Sequence, residues 1–505
     1  MQRCIFAAKI KNRMGIIIRQ SIMGTIATYI GAFIGFLTTM LVVTRFLSPE
    51  VVGLTKVVLE VGMMFAGLAQ LGTSSSALRF FPYFKDSSKN NNGFFFYVMA
   101  LPFAGCIIFT LVYLVLKEPI TDFFIEKSSL FVQYYYWIIP LIVFATYLTV
   151  LETYANVNMR ITVPKFNREV VIRALTLAVY LLYGYHAIGM GGLVAGIIAI
   201  YGLAMLIMFF YLPRISSISL RHDTSFIKKP LRKDILRYSA YLIAGALGGS
   251  ILGKLDLFMV SAQLGLDYAG IFTIAFYMAS VIEIPSRSLS AISSPLAANA
   301  LKQEDFQTAN KLYQKVALHQ LLVGGCAFIV LWINIDNIFD IIPNGAIYKA
   351  GKWVVFFIGI SKLISITLGF GGVLVSFSKF YYWSLYFTFF ITGVGILTNY
   401  LLIPIWGISG AAVATALTCL LSYLVQQWIV LRKVKGNPYT LNMLTLIFIF
   451  LFVIGANHFV RTCANPWVDG ALRTAVASAI SVALLYFFRV SDDLNRTIRL
   501  ALKRI

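Results

Sequence analysis

The sequence predicts an all-α membrane protein that crosses the bilayer many times, and three observations support this fold class. Hydrophobic residues make up 59% of the 505-residue chain and charged residues only 12%, against about 25% charged residues in an average soluble domain. Long apolar stretches recur from one end of the chain to the other, as between Thr440 and Gly455. These stretches are continuous, whereas the strands of a membrane β-barrel alternate in polarity over about ten residues.

The spans can be counted because a helix needs about 20 mostly apolar residues to cross the bilayer. About fourteen stretches satisfy this criterion. They lie at residues 20–46, 52–84, 94–116, 131–152, 168–186, 189–212, 236–263, 268–298, 312–334, 353–377, 380–403, 407–431, 441–460 and 468–488.

The distribution of lysine and arginine predicts the orientation, because cytoplasmic loops are enriched in both. With the N-terminus inside, the even-numbered connections and both termini hold roughly 29 of the 42 basic residues, against about six in the odd-numbered connections. Both termini are therefore expected in the cytoplasm. Much of the net charge of +22 follows from this topology, and no soluble basic domain is long enough to predict a nucleic-acid partner. The five cysteines show no metal or redox spacing, so no metal site and no cofactor are predicted.

The chain repeats itself about halfway along. Two matched motifs carry the repeat. The first, at the start of spans 2 and 8, pairs Leu47, Glu50 and Gly53 with Leu264, Asp267 and Gly270. The second, at the start of spans 6 and 12, pairs Gly189 and Gly192 with Gly407 and Gly410. The offsets of about 217 and 218 residues are nearly equal, which favours a true repeat over coincidence, and these glycines are expected to permit tight turns and close helix packing.

A parallel repeat of six spans predicts two lobes related by an axis along the membrane normal. The predicted N-lobe is 1–213, a basic cytoplasmic linker follows at 214–235, and the C-lobe is 236–435. Residues 436–505 then add spans 13 and 14 and a cytoplasmic tail. Two lobes that face one another would form a cleft that opens alternately to each side of the membrane.

These features, together with Lys254 and Asp256 late in span 7, resemble the polysaccharide transporter family. Its members are O-antigen-type flippases of the multidrug/oligosaccharidyl-lipid/polysaccharide exporter superfamily. The resemblance implies a MATE-like fold, with two six-helix lobes in pseudo-two-fold symmetry and two additional C-terminal helices. It also implies a transporter, not an enzyme, that moves an undecaprenyl-pyrophosphate-linked oligosaccharide by alternating access. The direction is from the cytoplasmic to the periplasmic leaflet of a bacterial inner membrane, for O-antigen, capsule or exopolysaccharide synthesis. The expected partners are this anionic cargo, membrane lipids, and a polysaccharide polymerase with other assembly proteins.

Ionisable side chains inside spans are costly and mark candidate functional sites. The basic candidates for contacting the cargo are Lys254, Arg287, Lys362, Arg79 and Arg45. The carboxylates that are candidates for carrying a coupling proton or sodium ion are Asp256, Glu60 and Glu283. Basic groups outnumber acidic ones, and at low dielectric such an excess favours an anion. No residue is predicted to be catalytic.

Some of these charges also have a structural interpretation. Lys56 and Glu60 are four residues apart, as are Glu283 and Arg287, so each pair can neutralise itself on one helix face.

Other basic residues differ in how deep they lie. Arg45, Arg79 and Arg173 lie near span ends, where long side chains reach the head groups. Lys362 lies about nine residues into span 10, roughly 14 Å deep, with no acid within a helical turn. A water-filled cleft, an acid on another helix or an anionic substrate would each stabilise it.

Three alternative functions stay open from the sequence. An exporter of cationic drugs with the same fold would need acids in the first lobe, where only Glu60 is clearly placed. A flippase for the peptidoglycan precursor would need the same chemistry as the main prediction. A membrane-bound polysaccharide polymerase would need a large outer loop, and the longest outer connection, about 334–352, is too short. Residues 248–255 resemble a phosphate loop but lack its Ser/Thr, so no nucleotide site is predicted.

Overall fold

The computed structural model describes residues 22–84, 91–216, 253–378, 382–460 and 462–490, together with residues 20, 86, 243, 245, 248, 380 and 495. All regular secondary structure within these residues is helical, which confirms the predicted all-α class. The chain forms two compact units, Met1–Gly270 and Ile271–Ile505. Most of the predicted linker 214–235 and the first part of predicted span 7 lie outside the described residues. The lobe boundaries and the two-lobe arrangement stay a prediction.

The described part of the first unit has nine main helices before the one that leads into the second unit. They are α1 (Ile22–Phe46), α2 (Pro49–Ala69), α3 (Thr73–Phe84), α4 (Phe94–Val115), α5 (Lys117–Ile125), α6 (Ile138–Val157), α7 (Ile172–Gly184), α8 (Met190–Tyr211) and α9 (Leu255–Gln263). Helix α10 (Leu266–Ser280) begins in this unit and continues into the second.

The second unit continues in the same way. Its helices are α11 (Ile284–Lys302), α12 (Phe306–Ile333), α13 (Ile335–Ile341), α14 (Lys352–Leu368), α15 (Phe370–Phe377), α16 (Trp383–Ile429), α17 (Leu441–Asn457) and α18 (Pro466–Phe487). A hydrophobic core joins α11, α12, α15, α17 and α18 through residues such as Tyr313, Leu374 and Leu446.

Ten helices in the described part of the chain are long and apolar enough to cross a membrane, and α17 is a shorter apolar helix of 17 residues. One of the ten, Leu385–Val434, covers two predicted spans, because it is broken at Gly407. A multi-pass membrane protein is therefore confirmed, while the total of fourteen spans stays a prediction.

The first repeat motif is explained by how α2 begins. The Ser48 hydroxyl accepts a hydrogen bond from the Val51 backbone N–H at 3.4 Å, Pro49 occupies the first turn, and Glu50 follows it. A capping hydroxyl, a proline without a donor and a negative charge each stabilise a helix N-terminus. The matching Asp267 lies in the first turn of α10. The acid that both copies of the motif contain therefore marks the start of a helix.

The glycines of this motif mark the point where α2 and α10 cross. A Cβ added to Gly53 would lie 2.0 Å from the Leu266 carbonyl oxygen, and a Cβ added to Gly270 would lie 2.0 Å from the Pro49 carbonyl oxygen. The 217-residue offset matches Gly53 with Gly270 and Pro49 with Leu266, so it converts one contact into the other. The two helix starts therefore contact each other reciprocally, backbone against backbone, and the expected close packing is confirmed for this pair.

The second glycine motif is used differently at its two occurrences. Gly407 has a φ of 56°, and a Cβ on Gly410 would lie 2.0 Å from the Leu402 carbonyl oxygen, so the second occurrence needs both glycines. Gly189 has an ordinary φ of −82° and open space around it. A Cβ on Gly192 would lie 3.0 Å from the Ile188 side chain. The tight turn is thus confirmed at Gly407 and is not needed at Gly189.

Candidate functional site: ion pairs within the two units

In the first unit, one carboxylate is shared by two lysines. Lys56 lies one turn before Glu60 on α2, and its Nζ is 3.3 Å from Glu60 Oε1. Lys254 reaches the other oxygen of Glu60 from the start of α9. We call Lys56, Glu60 and Lys254 the lysine–glutamate triad. Two positive charges and one negative charge leave it with a surplus of one positive charge.

The position of Lys254 explains why it requires a carboxylate. It is the residue that precedes α9, where the helix dipole disfavours a positive charge. Asp256 occupies the first turn of the same helix, where a negative charge is favoured. The side chains of Lys254, Lys56 and Glu60 are each partly exposed.

In the second unit, the predicted candidates Glu283 and Lys362 form an ion pair with each other. Helix α10 ends at Ser280, and Pro285 at the start of α11 breaks the predicted span 8 by a 3₁₀ turn, Val281–Glu283. The turn places Glu283 Oε2 at 2.9 Å from the Nζ of Lys362 on α14. The same Nζ lies 5.2 Å from the centre of the Phe276 ring. Of the three ways to stabilise Lys362 that the sequence leaves open, an acid on another helix is the one observed.

The remaining predicted cargo residues are not joined to these clusters by any described contact. The guanidinium of Arg45 lies 5.4 Å from the Phe46 ring centre, and that of Arg79 lies 5.5 Å from the Phe80 ring centre. Both arginines are exposed. Arg287 belongs to α11, and its side chain lies outside the described part of the structure.

A second group of charges in the first unit was missed as a cluster in the sequence. Glu152 on α6 is buried, and Arg168 binds it through Nε at 2.9 Å and through a terminal nitrogen at 2.7 Å. Arg168 also donates to the Thr149 hydroxyl at 3.1 Å. The two partners are separated by the connection between α6 and α7, so helical spacing gives no signal for the pair.

Arg173 is also held by local partners. It binds Glu169, four residues earlier, at 2.7 Å and donates to the Gly31 carbonyl oxygen at 2.8 Å. The spacing of Glu169 and Arg173 follows the same rule as that of Lys56 and Glu60, so this pair was detectable from the sequence. The Glu152–Arg168 and Glu169–Arg173 pairs are each neutral. Among these clusters of the first unit, the surplus of positive charge therefore comes from the triad.

Helices that can span a membrane, with ion pairs between them, define a multi-pass helical membrane protein. Residues 17–297 match the polysaccharide biosynthesis protein family. This match covers more than half of the chain, which therefore belongs to that family, and the predicted resemblance is confirmed. No protein of curated function matches the sequence.

Three solved structures have a similar fold. The structure resembles the lipid II flippase MurJ in an inward closed conformation, with a TM-score of 0.74 and 12% identity over 92% of this chain and 98% of that chain. It also resembles an inward-facing multidrug resistance MATE family transporter of the MOP superfamily, with a TM-score of 0.61 and 14% identity over 80% and 94% of the two chains.

A third similar structure is a MOP superfamily transporter from Pyrococcus furiosus. Its TM-score is 0.51, with 16% identity over 84% of this chain and 96% of that chain. The binding pocket of that transporter has a reverse polarity, which suggests a different function for it. At these identities the three likenesses establish the fold, and the family match places the protein in polysaccharide biosynthesis.

Proposed function

We propose that the protein is a flippase for an undecaprenyl-pyrophosphate-linked oligosaccharide. It moves this cargo from the cytoplasmic to the periplasmic leaflet of a bacterial inner membrane, with both termini in the cytoplasm, during O-antigen, capsule or exopolysaccharide synthesis. Membership of the polysaccharide biosynthesis family supports the pathway. The observation that supports an anionic cargo is the lysine–glutamate triad, because its surplus positive charge favours an anion at low dielectric.

The triad suggests how an anion would bind. Without cargo, Glu60 neutralises one of its two lysines. A pyrophosphate that approaches Lys56 and Lys254 replaces Glu60 as their partner, and charge-assisted hydrogen bonds to phosphate are among the stronger polar contacts. Release of the cargo restores the pairing with Glu60, so the lysines need not be left unpaired in either state.

Lys362, Arg287, Arg79 and Arg45 are the other cargo contacts that the sequence predicts, and the triad adds Lys56 to them. The charge of Lys362 is balanced by Glu283, so its contribution to binding requires that this pair opens. The triad is for this reason the primary cargo site of the proposal. Glu60, Glu283 and Asp256 keep their predicted role as carriers of a coupling proton or sodium ion. Glu60 has the added feature that it contacts the lysines assigned to the cargo.

The similar structures bear on the competing functions. A cation exporter would need an acidic surplus, whereas the triad has a basic one. The structure with reversed pocket polarity supports the idea that the sign of charge separates functions on this fold. A lipid II flippase is the second candidate, because MurJ has the highest TM-score among these three structures. Its cargo has the same lipid-pyrophosphate chemistry.

Flipping by the purified full-length protein in proteoliposomes tests the proposal. Undecaprenyl-pyrophosphate-linked oligosaccharide and lipid II are offered separately, and periplasmic-side exposure is measured with an impermeant sugar-modifying reagent. We expect flipping of the oligosaccharide and its loss in Lys254→Gln. Lys117→Gln is the control, because Lys117 lies 4.9 Å from the centre of the Tyr136 ring and belongs neither to the triad nor to the predicted cargo contacts. Flipping of lipid II alone would favour the second candidate, and flipping of neither would refute both.

A further inference from the structure

The second unit contains a polar cavity of about 500 Å³. None of its lining residues belongs to the lysine–glutamate triad or to the Glu283–Lys362 pair. The cavity lies where the end of α12, the short helix α13, the end of α17 and the first turns of α18 meet. Its charged and amide-bearing lining includes Asp336, Asn337, Asp340, Lys352, Asp469 and Arg473. Small-molecule sites commonly occupy about 300–1,000 Å³, so this cavity has the size of a ligand site. We call it the α13–α18 cavity.

The predicted topology places this cavity on the outer side. The connection between α12 and α14 follows predicted span 9, and the connection between α17 and α18 follows predicted span 13. Both are therefore odd-numbered in the predicted topology. They belong to the set that is poor in lysine and arginine, which is expected on the side opposite the cytoplasm. The cavity therefore lies on the side to which the proposed cargo is delivered.

The base of the cavity is a fixed polar structure. Asp469 is only 3% exposed, and its carboxylate accepts from Asn337 at 2.7 Å, from Arg473 Nε at 2.6 Å and from the Cys463 backbone N–H at 2.8 Å. Three donors satisfy this carboxylate. They also hold α13 and α18 together around the space, so the lining is preorganised.

Other polar groups of the lining remain available to a ligand. The side-chain oxygen of Asn457 is buried and accepts no hydrogen bond from the described residues. Asp340 is exposed and forms no ion pair with them. A buried acceptor without a donor is costly, and a hydroxyl group that enters the cavity would satisfy it.

The charges and the aromatic lining indicate the class of ligand. Three aspartates face two basic groups, Lys352 and Arg473, so the cavity carries no positive surplus for a phosphate. Trp332 also lines it, and its ring packs on Phe356 with centroids 4.6 Å apart. The negative face of an aromatic ring attracts polarised C–H groups, such as those on one face of a pyranose. Carboxylate, amide and indole together suit a neutral or amino sugar.

We propose that the α13–α18 cavity binds a neutral or amino sugar of the oligosaccharide after the cargo reaches the outer side. The inference rests on the proposed function for the identity of the cargo. It gives the two C-terminal helices a role in holding the sugar chain, while the triad binds the anionic head group. The two sites thus differ in charge and in the part of the cargo that each one binds.

Saturation-transfer NMR on the purified full-length protein tests the proposal, with methyl glycosides of glucose, galactose, N-acetylglucosamine and glucosamine as probes and inorganic pyrophosphate as the anionic comparison. We expect binding of at least one glycoside, weakened at least fivefold by Asp340→Asn. Asp340 is exposed and its side chain is nearly isosteric with asparagine, so the fold is retained. Trp332→Leu should weaken binding similarly, whereas Trp428→Leu should not, because Trp428 is 49% exposed and does not line the cavity.

The outcomes separate this inference from the proposed function. Absence of glycoside binding, or binding that neither Asp340→Asn nor Trp332→Leu weakens, would overturn the sugar site and leave the flippase proposal standing. Glycoside binding that survives Lys254→Gln and is lost in Asp340→Asn supports the sugar site. If the same preparations bind glycoside but flip no lipid-linked oligosaccharide, the proposed function fails and the cavity keeps its ligand class.

Discussion

Glu60 in the first unit contacts two lysines, whereas Glu283 in the second unit is observed with one, Lys362. The repeat does not carry over these charges. With the offset of 217, Glu60 corresponds to Tyr277, and Glu283 corresponds to Ala66. The repeat keeps the helix starts, with their acids Glu50 and Asp267, and the crossing glycines, but not Glu60 or Glu283. The repeated motifs thus specify where helices begin and cross, whereas the two carboxylates that pair with lysines are particular to each unit.

The largest effect is expected where the charge is in surplus. Lys56→Gln combined with Lys254→Gln should lower flipping of lipid-linked oligosaccharide in proteoliposomes at least a hundredfold, since both proposed pyrophosphate partners are removed. The triple variant that adds Glu60→Gln is the control, because it leaves no unpaired carboxylate in the membrane. It should express at the wild-type level and still fail to flip. Transport by the triple variant would remove the triad from the cargo site.

The neutral pair in the second unit should respond differently. Lys362→Gln leaves Glu283 charged without its lysine, and we expect flipping to fall about tenfold through lower stability, since a broken pair leaves an uncompensated charge. Adding Glu283→Gln removes the uncompensated charge and should restore thermal stability. Flipping should stay low in this double variant, because the proposal assigns Lys362 to the cargo and Glu283 to the coupling ion. Flipping at the wild-type rate would remove both residues from the proposal.

Substitutions of the two glycines at the crossing of α2 and α10 should lower stability by equal amounts. Gly53→Ala and Gly270→Ala each bring a Cβ to 2.0 Å from a carbonyl oxygen, and we expect each to lower stability by about 3 kcal/mol, the upper range for overpacking. Thermal unfolding in detergent measures this loss. Gly191→Ala is the control, since Gly191 has no atom within 4 Å of the added Cβ. Unequal losses at Gly53 and Gly270 would contradict the reciprocal contact.

The smallest effects should separate the two copies of the second glycine motif. Gly407→Ser is expected to cost roughly 2 kcal/mol, because serine is strained at the positive φ of Gly407. Gly189→Ser should change stability by at most a few tenths of a kcal/mol, since serine is a preferred N-cap residue and the position is open. Equal thermal midpoints for the two variants would contradict the difference described between these turns.

The sequence predicted those features that depend on residues close together in the chain. Apolar length gave the helices, the capped starts revealed the repeat, and spacing by four gave the Lys56–Glu60 pair. Partners from different helices were not predictable, because periodicity carries no information about which helices touch. Lys254 therefore could not be assigned to Glu60, nor Lys362 to Glu283, which lies 79 residues away along the chain.

The α13–α18 cavity was missed for the same reason. Its lining comes from α12, α13, α14, α17, α18 and the connections beside them, and no helix alone contributes more than three polar side chains. Such residues are typical of membrane interfaces, so no local pattern distinguishes them. Span 8 was also predicted as one continuous helix, whereas the 3₁₀ turn Val281–Glu283 breaks it. The break there is what positions Glu283.

The meeting of α2 and α10 at Gly53 and Gly270 has a mechanical consequence. Side chains that interlock resist rotation, because every change of angle requires rotamers to change together. Here two main chains rest directly on one another, with no side chain between them at that point. The approach of the two helices at that point is therefore set by main-chain atoms and does not depend on which rotamers the surrounding side chains adopt.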